Sequence, residues 1–406
     1  MINSDRRTIL AGAAGVAATL MMPGTGRAQN LPGVTATELK FGSTTSFSGP
    51  VSALGTINKA QLGYFKMINE QGGIAGRKLT YIVYDDGFSP PKTLEQTRRL
   101  IEQDEVAFLF ANLGTGPNSA IVKYVNNLGV PHLFLGVNGD KWGDYKAYPW
   151  SMGFGPSARV EAQIYVKYAL QQKPNAKIGL LFQNDDFGRD YVIGAKDVLG
   201  DRYDAVVKAV SFEVTDPSIS SQLIQLQGAG VDVLLSGVTG KFGALAIRGI
   251  SELGWKPMHF IPVGVSSVAA TINPAGAERS IGTITSVYTK DPGDPAWSDD
   301  AGVKTYKAFM AKYYPEGNPD DFFNVHGFIS AAVLVQLLKQ CNGDFSRKSI
   351  MAQANNLKDV ENPMLLPGIK VNTSPTNHNP LRQMQLQRWN GKQWERFGSI
   401  IEGAKL

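Results

Sequence analysis

The sequence predicts an α/β fold with parallel, doubly wound sheets, divided between two lobes. Short apolar stretches alternate with longer amphipathic stretches along most of the 406 residues, which is the rhythm of parallel sheets covered by helices. Glycine and polar residues gather just after the apolar stretches, where such folds place their ligands. The length suits two domains of ordinary size.

The first part of the chain predicts the order β-α-β-α-β-α-β. The first helix is expected to stop at Gly72-Gly73, since glycine commonly ends helices. The second helix is predicted at about 91–103, beginning at a proline. Strands are predicted where short apolar runs end in turn-forming residues, at 39–45, 79–84, 108–111 and 132–135.

The stretch from Phe108 to Gly116, FLFANLGTG, is the candidate centre of a site. A buried strand opens into a Gly-rich turn, where Gly114 and Gly116 let backbone amides approach a ligand. The next helix would point its positive N-terminus at that ligand. Its apolar face is spaced as Ala120, Ile121, Tyr124, Val125 and Leu128. An ordinary strand-to-helix turn is the alternative interpretation.

Residues 148–156 interrupt this rhythm with aromatic, Gly and Pro residues, and we interpret them as a crossing between lobes. The segments YIVYDDG at 81–87 and LLFQNDDFG at 180–188 suggest that the two lobes are alike. Helices are predicted at about 158–171, 218–227 and 241–253, with another that ends near 199. Strands are predicted at 177–183, 205–212, 231–235 and 258–263.

The last part of the chain has a different pattern. A strand is predicted at 284–288, followed by a proline-rich loop at 290–297 that can be neither helix nor central strand. Residues 363–380 are loop-like, and Asn390-Gly391 predicts a hairpin. Helices are predicted at about 301–313 and 323–338, and the hairpin strands at 383–389 and 394–397.

Residues 1–28 are predicted to be a twin-arginine signal peptide. Arg6 and Arg7 precede an apolar run that ends at Met22, and Gly26-Arg27-Ala28 is a small-x-small cleavage pattern. No transmembrane helix is expected in that run or later in the chain. The mature protein is expected in the periplasm, exported already folded. A frayed basic tail is the alternative.

Composition excludes several classes of protein. The formal net charge is +5 for the whole chain, and it falls to +3 without the three arginines and one aspartate of residues 1–28. The basic residues are dispersed, so no nucleic-acid partner is expected. Cys341 is the only cysteine, which excludes an intrachain disulfide, a cysteine metal cluster and a lipoprotein anchor near the signal.

Sequence motifs for catalysis are missing. Neither a phosphate-binding Gly-x-x-x-x-Gly-Lys-Ser/Thr loop nor a Gly-x-Ser-x-Gly elbow occurs. No metal-ligand spacing relates the four histidines, His132, His259, His326 and His378. Neighbouring acids suit helix caps better than an acid/base pair, and they occur at 85–86, 185–186, 299–300 and 320–321. We therefore expect no enzyme, no metal and no cofactor.

Four segments, taken together, resemble a known family. They are Ser48-Gly49-Pro50, NEQGGIAGR at 69–77, Tyr84-Asp85-Asp86 before Pro90-Pro91, and the turn at 184–188. The chain resembles a type I periplasmic solute-binding protein of the leucine/isoleucine/valine-binding (branched-chain amino acid) family, whose members are the capture subunits of ABC importers. The resemblance covers roughly residues 38–400.

This resemblance implies two Rossmann-like lobes joined by three crossovers. Lobe one would comprise 38–154 and 284–366, and lobe two would comprise 155–283 and 367–406. A small ligand would bind in the cleft between the lobes, which close around it on a hinge. The implied partner is an ABC permease in the inner membrane that reads the closed shape. Capture subunits of this kind generally work as monomers.

The resemblance also implies the ligand-binding residues, carried over position by position. The turns after strands three and four would grip a ligand carboxylate, and an aromatic residue of lobe two would cover the ligand. The full set is Phe47, Ser48, Gly114, Thr115, Gly136, Asn138, Phe187, Thr239, Val265 and His326. Each has an ordinary alternative, such as lobe core for Phe187, a satisfied core histidine for His326 and a turn former for Asn138.

One departure from the family pattern affects the predicted ligand. Amino-acid-binding members usually place an acid on the lobe-two turn that here reads PVGVS at 262–266, and an unpaired buried ammonium would be costly. Asp185 or Asp186 could take its place, although both precede Phe187 and could face outward. We therefore expect a carboxylate with an apolar or aromatic body. An amino acid, an amide and urea remain alternatives.

Two other functions remain open. A periplasmic ligand sensor would use the same fold to present bound solute to a receptor partner. A secreted enzyme would need a titratable pair in the cleft, for which only His326 is a candidate. A repressor is not expected, because residues 30–37 offer no room for a helix-turn-helix segment.

Overall fold

Two β-sheets organise this computed structural model, which describes residues 31–402. The predicted signal peptide, residues 1–28, lies outside the described residues. The chain from Leu31 onward forms one compact unit, in which each sheet has its own hydrophobic core. The predicted α/β class with parallel sheets is confirmed.

The first sheet is four-stranded and entirely parallel. Its strands are β1 (Glu38–Thr45), β2 (Lys78–Asp85), β3 (Leu109–Phe110) and β4 (His132–Leu133), in the order β2-β1-β3-β4. They are connected by α1 (Thr56–Glu70), α2 (Pro90–Arg98) and α3 (Thr115–Asn127). β3 and β4 are shorter than predicted because the backbone takes positive φ at Ala111 (57°) and Phe134 (52°), which ends each ladder.

The second sheet is seven-stranded and mixed. Its strands are β5 (Ile178–Gln183), β6 (Val207–Phe212), β7 (Val233–Gly237), β8 (Met258–Phe260), β9 (Ile284–Val287), β10 (Gln383–Trp389) and β11 (Trp394–Glu402). They lie in the order β11-β10-β9-β8-β7-β5-β6. Strands β5 to β9 pair parallel, whereas β10 pairs antiparallel with β9 and with β11. The helices here are α4 (Ala158–Gln172), α5 (Asp186–Leu199), α6 (Tyr203–Val206), α7 (Ser220–Gly228), α8 (Lys241–Glu252) and α9 (Asn273–Ala275).

Three later helices return to the first sheet: α10 (Ala301–Tyr313), α11 (Phe322–Gln340) and α12 (Arg347–Ala354). The last of these was not predicted. By length and composition α11 could cross a membrane, which corrects the expectation that no run after the signal is long and apolar enough. However, 78% of the apolar 18-residue stretch of this helix is buried inside the protein, as in the central helix of a core. It packs so closely on α1 that a Cβ on Gly327 would lie 2.5 Å from the carbonyl oxygen of Ile57.

Strand pairing and core packing group some residues differently from two of the three predicted lobe boundaries. β9 pairs with β8 and β10, so residues 284–287 belong to the second sheet rather than to lobe one. Ile369, Val371 and Leu381 are buried in the core of the first lobe rather than the second. Pairing and packing join distant segments, so the sequence could predict the strand at 284 but not its neighbours. We therefore use the name lobe one for the first sheet and the segments packed on it, 38–154 and 288–381, and lobe two for the second sheet and its helices, 158–287 and 382–402.

An aromatic cluster fills the core under the first sheet. The ring of Phe41 on β1 stacks on Phe108 at a centroid distance of 4.8 Å and on Tyr81 at 5.0 Å. Phe65 of α1 meets the same ring edge-on at 5.0 Å. Fully buried aromatic rings in such arrangements are among the largest apolar contributions to a core, so Phe41 links the sheet to its covering helix.

We expect Phe41→Ala to lower the free energy of unfolding by about 3–5 kcal/mol, because it leaves a cavity among four other aromatic rings. Phe47→Ala is the matched control, since Phe47 is exposed beyond the end of the same strand. Its loss should stay below about 1 kcal/mol. Urea unfolding followed by circular dichroism measures both, and equal losses would contradict the assignment of Phe41 to the core.

Candidate functional site

A cavity lies between the two lobes, at the carboxyl ends of the parallel strands. Its empty volume is about 710 Å³, which includes open solvent at its mouth. Lobe one contributes the turns after β2, β3 and β4, the residue after β9, and the first turns of α1 and α11. Lobe two contributes the turns after β5, β7 and β8. Parallel strands deliver their following turns to one edge of the sheet, so turns distant in sequence meet here.

Seven of the ten predicted site residues line this cavity. They are Gly114, Thr115, Gly136, Asn138, Phe187, Thr239 and His326. They come from the turns or helix starts that follow four different strands and from α11, and only the folded arrangement of both sheets brings them together.

Phe47 and Ser48 lie outside the cavity lining. The carboxylate of Asp85 accepts hydrogen bonds from the backbone amides of Phe47 (2.9 Å) and Ser48 (3.3 Å), and from the Ser48 hydroxyl (2.7 Å). These bonds hold the turn against the end of β2, where Phe47 is 36% exposed. Leu54 and Ile57, further along the same connection, line the cavity instead.

Val265 also lies outside the cavity lining, because it is 1% exposed and packed in the lobe-two core. A Cβ on Gly243 of α8 would come within 3.0 Å of the Val265 Cβ. The two preceding residues of the turn, Val263 and Gly264, line the cavity. The resemblance located the turn, but the short 3-10 conformation of Val263–Val265 decides which of its residues faces inward.

The start of α3 presents backbone amides to the cavity. Gly114 adopts a φ of +88°, and a Cβ on it would collide with the ring of Phe88, so this position requires glycine. Among the residues that the structure describes, the amides of Gly114 and Thr115 donate to no acceptor. Because the first amides of a helix lack internal partners and its dipole is positive there, this turn can hold an anionic group.

Three polar side chains of lobe two form a hydrogen-bonded chain on the facing wall. The Thr239 hydroxyl donates to Gln183 Oε1 at 2.5 Å, and Gln183 Nε2 donates to Asp185 Oδ2 at 2.6 Å. Asp185 Oδ1 accepts from the Gly188 amide and so caps α5. Burial raises the pKa of Asp185, and these hydrogen bonds oppose that effect. The wall therefore offers a single carboxyl group to a ligand.

The sequence left open which acid of the Asp185-Asp186 pair faces the cavity. Asp185 lines it, whereas Asp186 accepts from Lys141 Nζ (2.6 Å) and Ser119 Oγ (2.9 Å) of lobe one. The helix-cap position of Asp185 is the signal that could have separated the two, because a cap turns its side chain back over the first turn. Gln183 was not predicted and has no local signal beyond its place at a strand end.

The other acid pairs also serve as caps and turn anchors. Asp300 caps α10 and Asp321 caps α11, each by accepting from a first-turn amide. Asp86 accepts from the Phe88 amide at 2.8 Å and from the Thr93 hydroxyl at 2.8 Å. This geometry agrees with the interpretation of the paired acids as caps rather than as acid/base catalysts.

Tyr288 and His326 form a buried pair on the lobe-one wall. The Tyr288 hydroxyl oxygen and His326 Nδ1 are 2.6 Å apart. Burial lowers the pKa of His326 to about 4, so the imidazole is neutral near pH 7. Within residues 31–402, no group of three or more His, Cys, Asp or Glu is placed to hold a metal ion.

The rest of the wall is apolar and largely aromatic. Phe88 holds its ring there with a φ of +62°, an uncommon backbone conformation for a bulky residue. Such strain persists only where neighbours enforce it, and the hydrogen bond to Asp86 does so here. None of these apolar residues was predicted, because each would serve equally well in an ordinary core: Leu54, Ile57, Phe88, Leu113, Val137, Val238, Val263, Phe322 and Phe323.

Polar contacts join the lobes beside the cavity. Lys141 and Asp186 form an ion pair at 2.6 Å, and the Asp140 amide of lobe one donates to Asp190 Oδ2 of lobe two at 2.7 Å. Burial, together with the carboxylates of Asp140 and Asp186, raises the pKa of Asp190 to about 7, while Arg159 lowers it. The two lobes are therefore in contact on this side of the cavity, as in a closed arrangement.

Known proteins resemble this chain in sequence over most of its length. A family model described as periplasmic binding protein matches residues 38–393. The Leu/Ile/Val-binding protein homolog 7 of Brucella abortus is 24% identical over 362 residues, which cover 87% of this chain and 89% of that protein.

Solved structures share the fold. A branched chain amino acid ABC transporter protein from Thermus thermophilus, solved with bound valine, superposes with a TM-score of 0.80 at 17% identity, covering 91% of this chain and 98% of that one. A fatty acid ABC transporter substrate-binding protein from Thermomonospora curvata gives 0.73 at 21% identity, covering 92% and 94%.

We expect Asp190 to make the protein less stable as the pH rises from about 4 to about 7. An aspartate ionises near pH 4 in an unfolded chain, whereas folded Asp190 has a pKa of about 7. The folded protein therefore holds this proton more tightly, and the resulting stability is present below the unfolded pKa and lost as the pH approaches the folded pKa. Asp190→Asn should remove this part of the pH dependence.

The measurement is the free energy of unfolding in urea at intervals between pH 4 and 7. Asparagine keeps an oxygen that can accept the Asp140 amide, so the variant removes mainly the titration. Asp344→Asn is the control, because hydrogen bonds lower the pKa of this exposed residue, and its effect should fall below this pH range. A slope that is unchanged in Asp190→Asn would contradict the expectation.

Proposed function

The chain belongs to the periplasmic binding protein family and has the type I fold, and we propose that it captures a small carboxylate for an ABC importer. The observation that supports this most directly is the cavity between the lobes, which combines one anion-binding turn with apolar walls. The family consists of solute-binding proteins of the branched-chain amino acid transporter type.

The ligand carboxylate would lie at the start of α3. The amides of Gly114 and Thr115 would donate to it, the Thr115 hydroxyl would add a third donor, and the turn at Gly136 would close the site from β4. The Asn138 side chain already donates to the Pro156 carbonyl at 2.9 Å. Asn138 would therefore shape the wall and the first crossover rather than grip the ligand.

The ligand body would be apolar or aromatic. Four phenylalanines face the cavity, Phe88, Phe187, Phe322 and Phe323, and Phe187 is held edge-on against Tyr191 at 5.6 Å. Apolar walls with a few placed polar groups are typical of small-molecule sites. Phe187 would cover the ligand from lobe two, with Thr239 supporting the polar chain beside it.

The remaining question is whether the ligand carries an ammonium group. The 262–266 turn has no acid, so Asp185 is the acid of the lobe-two wall that could pair with one. Its oxygens already accept from Gln183 and Gly188, and burial raises its pKa. We therefore favour an aromatic or other organic acid without an amine. The solved structures of this fold include one with bound valine and one named as a fatty acid ABC transporter substrate-binding protein.

The proposed partner is an inner-membrane ABC permease. Opening of the lobes would break the ion pair between Lys141 and Asp186 and would change the outer surface, so a permease could distinguish the two forms. Membership of the periplasmic binding protein family supports a location in the periplasm. The twin arginines within residues 1–28 support export by the twin-arginine route. We propose that it works as a monomer.

A thermal-shift screen of residues 29–406 tests this proposal. The panel holds branched-chain and aromatic amino acids, hydroxybenzoates, cinnamates, amides and urea. A ligand at a hundred times its dissociation constant stabilises the folded state by about 2.7 kcal/mol. We expect a shift with aryl carboxylates and none with leucine. A response to leucine alone would contradict the ligand class, and no response at all would favour a different cargo or a sensor.

Asp185→Asn separates the two ligand classes. Asparagine is as good a helix cap as aspartate, so α5 should stay intact while the charge is lost. A ligand with an ammonium group should bind at least about tenfold more weakly to the variant, since a charged hydrogen bond is worth about 1.5–3 kcal/mol. An aryl carboxylate should bind within about threefold of the wild type. Calorimetric titration measures both, with Asp344→Asn as the charge-matched control.

A further inference from the structure

The Tyr288–His326 pair occupies one ring nitrogen of the histidine and leaves the other facing the cavity. Tyr288 is 2% exposed and His326 is 8% exposed, with the hydroxyl oxygen 2.6 Å from Nδ1. Among the described residues, Nε2 of His326 has no hydrogen-bond partner. This nitrogen is nevertheless not fully enclosed by protein atoms. Its accessible edge therefore opens into the cavity that His326 lines.

The hydrogen-bond acceptors available to Tyr288 and His326 decide which ring nitrogen of His326 carries the proton. If Nδ1–H donated to Tyr288, the proton of this 2% exposed tyrosine would be left without a protein acceptor, since the hydroxyl has no second partner among residues 31–402. Buried donors without acceptors are strongly unfavourable. The tyrosine hydroxyl therefore donates and Nδ1 accepts. A neutral imidazole has one ring proton, which then lies on Nε2.

The surroundings keep this ring neutral. It faces the edge of Phe154 at a centroid distance of 5.4 Å and the ring of Phe322 at 6.1 Å, and neither carries a charge. Burial alone lowers the pKa of His326 to about 4. Burial and the carboxylate of Glu161 raise the pKa of Tyr288, which keeps its proton. Nε2 is therefore an oriented, uncharged N–H donor.

We propose that His326, oriented by Tyr288, selects ligands that present an oxygen acceptor in addition to their carboxylate, such as a hydroxyl, keto or amide oxygen. This inference rests on the proposed function of the cavity. The amides of α3 already provide for one anionic group, so the imidazole is a separate polar contact on an otherwise aromatic part of the wall. When the lobes close on a ligand without such an oxygen, the Nε2 proton loses water and gains no acceptor.

The same geometry disfavours an amine at this position. An ammonium group and an Nε2–H are both donors, so they would face each other without an acceptor between them. Protonation of the imidazole does not remove this mismatch, because Nε2–H and the ammonium group both remain donors. The histidine therefore adds discrimination against amino acids that is independent of the missing acid on the 262–266 turn.

The first test needs no ligand. Nitrogen-15 spectra of protein with labelled histidine report the protonation of each ring nitrogen, and the His326→Gln variant identifies which of the four signals belongs to His326. We expect a single neutral form with the proton on Nε2 from pH 5 to pH 8. Tyr288→Phe should yield a mixture of the two neutral forms, a change that a purely structural tyrosine would not cause. A proton on Nδ1 in the wild type would overturn the proposal.

The second test compares ligands that differ by one oxygen. Calorimetric titrations use benzoate against 3- and 4-hydroxybenzoate, and 4-methylpentanoate against 4-methyl-2-oxopentanoate. We expect the wild type to favour the oxygen-bearing member of at least one pair by about tenfold or more. His326→Phe should reduce that ratio to within about threefold while the plain carboxylate still binds. His326→Gln, which keeps an amide donor, should retain more of the ratio than phenylalanine does.

The outcomes distinguish failure of the selection by His326 from failure of the proposed function. Binding of both members with equal affinity, or a ratio that survives in His326→Phe, would overturn the selection by His326 and leave the proposed function standing. If the wild type binds none of the carboxylates, the proposed ligand class and the selection fail together, while the spectra still decide whether the donor exists. Thermal unfolding of each variant shows whether a loss of binding reflects a loss of the fold.

Discussion

Parallel strands all finish at the same edge of their sheet, and this constraint decides where nearly every cavity residue lies. The turns after β3 and β4 from lobe one and those after β5, β7 and β8 from lobe two open toward a common gap. Turn residues have no ladder hydrogen bonds to satisfy, so their amides and side chains are free for a ligand. The sheets hold the turns in position, and the turns provide the groups that can contact a ligand.

Local patterns predicted most of the fold, because period and turn chemistry are local properties. The strand at 383–389 and the helix at 301–313 were predicted to the residue, whereas the pairing of β9 with β8 and β10 was not. The same division holds for the site. The strand end at 108–116 indicated Gly114 and Thr115, and the resemblance added Asn138, but the hydrogen bonds of Asp85 that turn Phe47 outward join residues almost forty positions apart.

Lobe two holds several carboxyl groups away from water near the cavity. Glu161 of α4 is fully buried and accepts from Ser286 Oγ (2.5 Å), Tyr191 Oη (2.7 Å) and the Val263 amide (3.0 Å). Burial raises the pKa of Glu161, while these hydrogen bonds act to lower it. A buried carboxylate with this many donors fixes geometry more than it adds stability. Through Ser286, Glu161 connects α4, which follows the first crossover, to β9, which precedes the second. Its hydrogen bond with the Val263 amide connects both elements to the turn after β8 in the cavity wall.

The close approach of α1 and α11 has a consequence for how such a chain could change its cargo over evolutionary time. With Gly327 against the Ile57 carbonyl, the two helices that carry Ile57, Phe323 and His326 touch backbone to backbone and leave no slack between them. These two helices therefore hold their part of the cavity wall in a fixed relative position. Substitutions that enlarge or reshape the pocket would be accommodated more readily in the surrounding turns of either lobe than where these helices meet, so divergence in specificity should accumulate in the turns.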